Sequence, residues 1–255
     1  MHVAREAALD AILTLDLFEN RPDLLLLSVA WHEHQCIIVV MRDPISAEAL
    51  EDYKSRLSRW LAPADFIRTA EQLRTAVSGY QYFNDPKAAF ARDAWIAARL
   101  ASVSASSDVR LGSVWPDYEE RSDGAIVQFE ITEADIPGRR RGDEYKTMSV
   151  TPHWTMDPGE DWIARAEQAP TALRTAAEAK ARKGYPPSAR LVIYLNIGEH
   201  GIRQKEIEAA MAEMTAPARK AFQQVWVLWK ARLYRLWKDA ERDTLIVQIP
   251  DALGL

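Results

Sequence analysis

The chain has 255 residues, 48% of them hydrophobic and 27% charged, with a formal net charge of −5 at pH 7. That length and composition suit a folded protein of one large domain or two small ones, and they exclude a disordered or low-complexity chain. The acidic balance argues against a general nucleic-acid coat, and the single cysteine, Cys36, excludes an internal disulfide framework and fits a reducing compartment.

In chain order, residues 4–18 place apolar side chains at helical spacing (Ala8, Ile12, Leu15, Phe18) until Asn20-Arg21-Pro22 ends the pattern. No secretory leader is expected there, because acids interrupt the segment. Apolar runs such as Leu24–Leu27 and Leu191–Leu195 are too short to span a bilayer, so no membrane partner is expected and the cytoplasm is the expected compartment. Two β-like runs follow at 24–30 and 36–41, with Cys36 read as a buried strand residue. His32-Glu33-His34 between them lacks a third ligand nearby and reads as an exposed turn rather than a metal site. Ser46 is placed to cap a helix to about Leu61, and a second helix is expected over 65–77. These elements make a small N-terminal α/β module, residues 1–85, bounded by Ser78-Gly79 and Asn84-Asp85-Pro86.

From Pro86 a helix is expected through about Val103, then strands at 109–114, 117–120 and 125–132. Residues 134–160, rich in Pro, Gly, Arg and Asp, read as a long loop. A helix over 161–183 follows, with an interruption expected near Pro170 and Gly184 as its C-cap. Next come a buried strand at 191–197, a helix over 201–214 with His200 as a loop or capping residue, a hairpin of 225–229 with 233–237, and an edge strand at 244–249. Trp226, Trp229, Tyr234 and Trp237 read as core and cross-strand packing rather than a base-stacking platform. The expected class is α/β. No phosphate-binding glycine loop, nucleophile elbow or Cys/His zinc spacing occurs.

One stretch carries chemistry: Trp115-Pro116-Asp117-Tyr118, a turn at Asp123-Gly124, then Ile126 to Glu133. The Asp-Gly pair favours a tight hairpin. The second strand is read as two sets, Ile126, Phe129 and Ile131 mixed with Val127 on one side and Gln128, Glu130 and Thr132 on the other. Asp117 and Glu130 then face one point. Two such carboxylates are the minimum for a divalent metal, which phosphodiester hydrolysis usually needs. The bland alternative is a pair of surface carboxylates on an amphipathic hairpin.

Pro116-Asp117, twelve residues, then Glu130-Ile131-Thr132 resembles the active-site signature of the PD-(D/E)XK, restriction endonuclease-like, nuclease superfamily. The wording Glu-Ile-Thr-Glu is similar to that of a bacterial subgroup. The resemblance covers roughly residues 87–237 and leaves 1–85 aside. It implies a restriction endonuclease-like α-β-β-β-α-β core with a C-terminal β-hairpin in residues 86–255. The activity implied is that of a metal-dependent DNA endonuclease, with Mg²⁺ or Mn²⁺ held by Asp117, Glu130 and the backbone carbonyl of Ile131. The family's lysine position is here Thr132, which cannot supply a cation. Lys180 or Lys183 on the following helix is the replacement implied, and Thr132 would orient water or a phosphate oxygen. A plain solvated helix face is the alternative for both lysines. The family's acid on the first helix would be Asp93. A shifted register, with Gln128 in the acid slot and Glu130 in the lysine slot, is less favoured because it removes Glu130 as a ligand.

Arg139, Arg140, Arg141 and Lys146 are expected to grip phosphate beside the site, or else to form a solvated loop. Arg203, Lys205, Arg219, Lys220, Lys230, Arg232, Arg235 and Lys238 make the C-terminal third basic, which is compatible with backbone contacts to nucleic acid. The expected partner is nucleic acid, DNA before RNA, and a homodimer stays open. A non-catalytic member of the fold, used for protein or nucleic-acid interaction, is the second reading, and an unrelated small-molecule enzyme the third.

Overall fold

The structure, a computed structural model, describes residues 24–32, 35–42, 44–136, 138, 159–198 and 201–250. The expected helix over 4–18, the turn residues Glu33 and His34, the loop residues Arg139, Arg140, Arg141 and Lys146, and His200 lie outside them. Strands β1 (Leu24–His32) and β2 (Gln35–Arg42) pair antiparallel as a two-stranded sheet.

Three helices follow. Ser46 caps α1 (Ala47–Leu57) by accepting the Ala49 N–H at 3.2 Å, as its position before the helix predicts. Pro63 opens α2 (Pro63–Ala76), where its missing N–H costs nothing. Ser78 caps a short helix, α3 (Gly79–Asn84), in the stretch expected to be a boundary. After α4 (Phe90–Ala101) come β3 (Asp108–Leu111), β4 (Tyr118–Ser122), β5 (Ala125–Ala134), α5 (Gly159–Ala181), β6 (Arg190–Leu195), α6 (Gln204–Thr215), β7 (Gln224–Trp229), β8 (Arg232–Lys238) and β9 (Glu241–Gln248).

Seven strands form one mixed sheet in the order β3-β4-β5-β6-β7-β8-β9, and the class is α/β. Only the centre, β5-β6-β7, is parallel. Helix α5 is the crossover between β5 and β6, and α6 that between β6 and β7, so the three central strands need cover on both faces. One face packs Phe66 and Leu73 of α2 and Ala97 of α4 onto Tyr118, Phe129, Ile131 and Val192. The other packs Ala169, Leu173 and Ala177 of α5 and Met211 of α6 onto Leu191, Ile193 and Val225. The run of alanines on α5 lets the helix lie close to the strands.

Residues on either side of position 85 share the first of these cores: Leu50, Leu57 and Phe66 belong to one apolar cluster with Val109 and Phe129. Leu61 also pairs with Val109 through two backbone hydrogen bonds, of 3.0 and 2.8 Å. The expected boundary is therefore not a gap in packing.

Three local expectations need correction. Ile126 is 52% exposed and shares the side of Glu130, not of Phe129, because alternation from Phe129 runs through Val127 and Ala125. β3 stops at Leu111 rather than reaching Val114, which is 89% exposed, because the chain folds back at Gly112. α5 continues through Pro170 without the expected interruption. The aromatic group behaves as packing predicts: Trp229, Tyr234 and Trp237 are buried, and Trp229 and Trp237 donate their indole N–H to Ile197 and Thr215.

Candidate active site: an acidic cleft with one ammonium

The site is framed by backbone. Asp123 and Gly124 both have positive φ, 50° and 81°, the requirement of the tight hairpin turn that joins β4 to β5. Asp117 sits just before β4, after the cis Trp115–Pro116 bond. Its N–H donates to Phe129 O and its C=O accepts from the Gly112 N–H, each at 3.0 Å. Gly112 is required by close approach: a Cβ there would lie 1.6 Å from the Pro116 carbonyl oxygen.

These bonds point the Asp117 side chain along β5, where Oδ2 accepts the Ile131 N–H at 2.7 Å. Glu130 is buried, 5% exposed. Its Oε1 accepts from the Tyr185 hydroxyl at 2.7 Å and from the Lys180 ammonium. Lys180 Nζ reaches the Ile131 carbonyl as well, at 3.3 Å. It comes from the last turn of α5, the crossover helix between β5 and β6. Thr132 is half-buried, one pleat beyond Glu130 on the same side of β5. Lys183 is exposed past the end of the helix and acts on Asp117 only through its charge.

Asp93, on α4, feels the charges of Asp117 and Lys180. Burial, then repulsion from Asp117, pushes its carboxyl up to about 7. Burial lifts Asp117 to about 6, opposed by the Ile131 N–H and by Lys180 and Lys183 and assisted by Glu130. The repulsion between Asp93 and Asp117 falls on whichever ionises second, which is Asp93. The half-buried Lys180 ammonium contacts Glu130 and acts on Asp117 and Asp93 through its charge.

Among the described residues no group of three His, Cys, Asp or Glu side chains comes together as a ready ligand set. The oxygens that could hold a cation are the carboxylates of Asp117 and Glu130 and the Ile131 carbonyl. They are hard donors of the kind Mg²⁺ and Mn²⁺ prefer, so their chemistry suits such an ion. Lys180 Nζ already lies against two of those oxygens, Glu130 Oε1 and Ile131 O.

Tyr185 was not visible in the sequence pattern as a site residue. Its place one residue past Gly184, the helix stop, is the only signal that could have suggested it. In the basic C-terminal third, Arg203, Arg232 and Arg235 pair with Glu167, Glu208 and Asp243. No helix among the described residues is long and apolar enough to cross a membrane. No family model, curated protein or solved structure matches the chain.

Proposed function

We propose that the protein is a metal-dependent nuclease that hydrolyses phosphodiester bonds, with DNA as its substrate. The observation that carries this reading is the entry of Lys180 into the cleft of Asp117 and Glu130, since the motif lacks its own lysine. Asp117 and Glu130, with the Ile131 carbonyl, would hold Mg²⁺ or Mn²⁺. Such an ion, when bound, polarises the scissile phosphate and lowers the pKa of the attacking water. The chain's own groups do the rest. Tyr185 donates to Glu130 and fixes the carboxylate's orientation. Lys180 presents its ammonium to the negative charge that grows on the phosphate oxygens. Thr132 offers a hydroxyl beside them to orient water or a phosphate oxygen. Asp93 takes up a proton near neutrality beside the site.

A second reading has one observation in its favour. The contacts of Lys180 with Glu130 and Ile131 fill the place of a cation, as an ion pair in a non-catalytic nuclease fold would.

The two separate in one experiment. Supercoiled plasmid, single-stranded DNA and RNA are incubated with the protein in Mg²⁺, Mn²⁺ or EDTA, beside Asp117→Ala, Glu130→Ala and Lys180→Met. The nuclease reading expects cation-dependent cleavage, DNA before RNA, reduced about 100-fold or more in each variant. Absence of cleavage on all three substrates with either ion would sink it and leave the non-catalytic reading.

A further inference from the structure

A cavity of about 370 Å³ is lined by Glu133 of β5 and by residues of α3 and α4. Alternation along β5 sends Glu133 to the side opposite Glu130, and three residues of strand separate the two by roughly 10 Å. The cavity is lined by the rings of Tyr82, Trp95 and Tyr194, by Arg92, and by Glu133 and Asn196. Its volume falls at the small end of ligand pockets, roughly 300–1,000 Å³.

The lining is organised. Trp95 and Tyr194 rings lie 5.1 Å apart, tilted at 59°. The Arg99 guanidinium stacks 4.2 Å from the Trp95 ring and holds it. The Tyr194 hydroxyl donates to Asn196 Oδ1 at 3.2 Å, and Asn196 Nδ2 donates to Glu133 Oε1. Glu133 Oε2 lies 4.0 Å from the Arg92 guanidinium, and both side chains keep access to solvent, 28% and 37% exposed. Aromatic faces together with a fixed, reachable carboxylate make a chemistry for a flat heterocycle that carries N–H donors on one edge.

We propose that this cavity receives one unstacked nucleobase, guanine best, its ring among Trp95, Tyr82 and Tyr194 and its N1–H and N2–H donors on the Glu133 carboxylate. Arg92 meets the adjoining phosphate. Single-stranded nucleic acid is read in this way, by stacking on aromatic rings and hydrogen bonds to base edges. Arg92 of α4 lines the pocket, and the next residue, Asp93, feels Asp117 and Lys180 as well as Arg92 and Glu133. The strand as source of the base rests on the nuclease reading; a free guanine nucleotide would carry the same chemistry.

The test is a binding titration by calorimetry in EDTA, where no cleavage occurs, using dGMP, dTMP and inorganic phosphate. Saturable binding of dGMP is expected, at least tenfold weaker for dTMP and for phosphate. Glu133→Gln and Arg92→Ala should each weaken dGMP at least tenfold, with circular dichroism unchanged. Asp117→Ala, which alters the cleft and not the pocket, should retain dGMP binding. No dGMP binding, binding matched by phosphate or dTMP, or indifference to both Glu133→Gln and Arg92→Ala would overturn the proposal. An eight-residue thymidine strand with one guanine separates the sources: tighter binding than dGMP assigns the pocket to a strand, equal binding to a free nucleotide. Binding of dGMP without DNA cleavage sinks the nuclease reading alone, and cleavage without dGMP binding sinks the pocket alone.

Discussion

At the scale of single residues the cleft is a problem of charge. Asp93 at about 7 and Asp117 at about 6 both stand above the ordinary 3.8 of an aspartate. Between about pH 4 and pH 7 these two groups therefore bind more protons in the native protein than in the unfolded chain, and their contribution to stability falls as pH rises through that window. Below it both states are protonated and the contribution is level. For the metal-free protein we expect a lower urea midpoint at pH 7.5 than at pH 5. Asp93→Asn should narrow the gap, by an amount on the order of 1–3 kcal/mol once partial exposure is allowed for. A gap of the same size in Asp93→Asn would show that the carboxyl ionises freely in the folded state. Added Mg²⁺ should raise the midpoint at pH 7.5 if the cleft takes a cation, since a ligand that binds only the native state stabilises it.

At the scale of elements, what holds Asp117 is a loop rather than a strand. Gly112 lies against Pro116, and the Asp117 backbone is tied to Gly112 on one side and Phe129 on the other. Gly112→Ala must push the Pro116 carbonyl away and swing Asp117 off the Ile131 N–H. The expected outcome is a protein that folds with a loss of about 1–3 kcal/mol in thermal or denaturant unfolding, of the size that overpacking typically costs. An unchanged stability would mean that the loop relaxes freely. That dependence explains how far the sequence could be read. Hydrophobic periodicity and turn chemistry placed most of the helices and strands from 47 to 248, because signals such as Ser46 and Asp123-Gly124 act locally. Lys180 was reachable as one of two lysines on the crossover helix, and only the packing of α5 on β5 chose it over Lys183. Tyr185 and the Glu133–Asn196 pair depend on contacts between segments far apart in the chain, and no local pattern announces them.

At the scale of the molecule, α1 and α2 are not an appendage. Phe66 lies 5.8 Å from Tyr118, ring to ring, and Leu61 extends the sheet at the β3 edge by two backbone hydrogen bonds with Val109. Arg99 of α4, with none of its side chain exposed, pairs with Glu71 of α2 at 2.6 Å. A fragment of residues 86–255 would lose Leu57, Phe66 and Leu73 from over Tyr118 and Phe129, each worth roughly 1.5–3 kcal/mol of burial. It would also leave the Arg99 guanidinium without the Glu71 carboxylate, a costly change for a buried charge. Native domains are stable by only about 5–15 kcal/mol, so these losses together exhaust the margin. Residues 86–255 alone should therefore aggregate or unfold without a cooperative transition, whereas residues 44–255, which keep α1 to α3, should melt cooperatively. A soluble 86–255 fragment with a sharp thermal transition would show that the sheet and its crossover helices suffice. In that case the helices before residue 85 would be free to serve a purpose other than covering Tyr118 and Phe129.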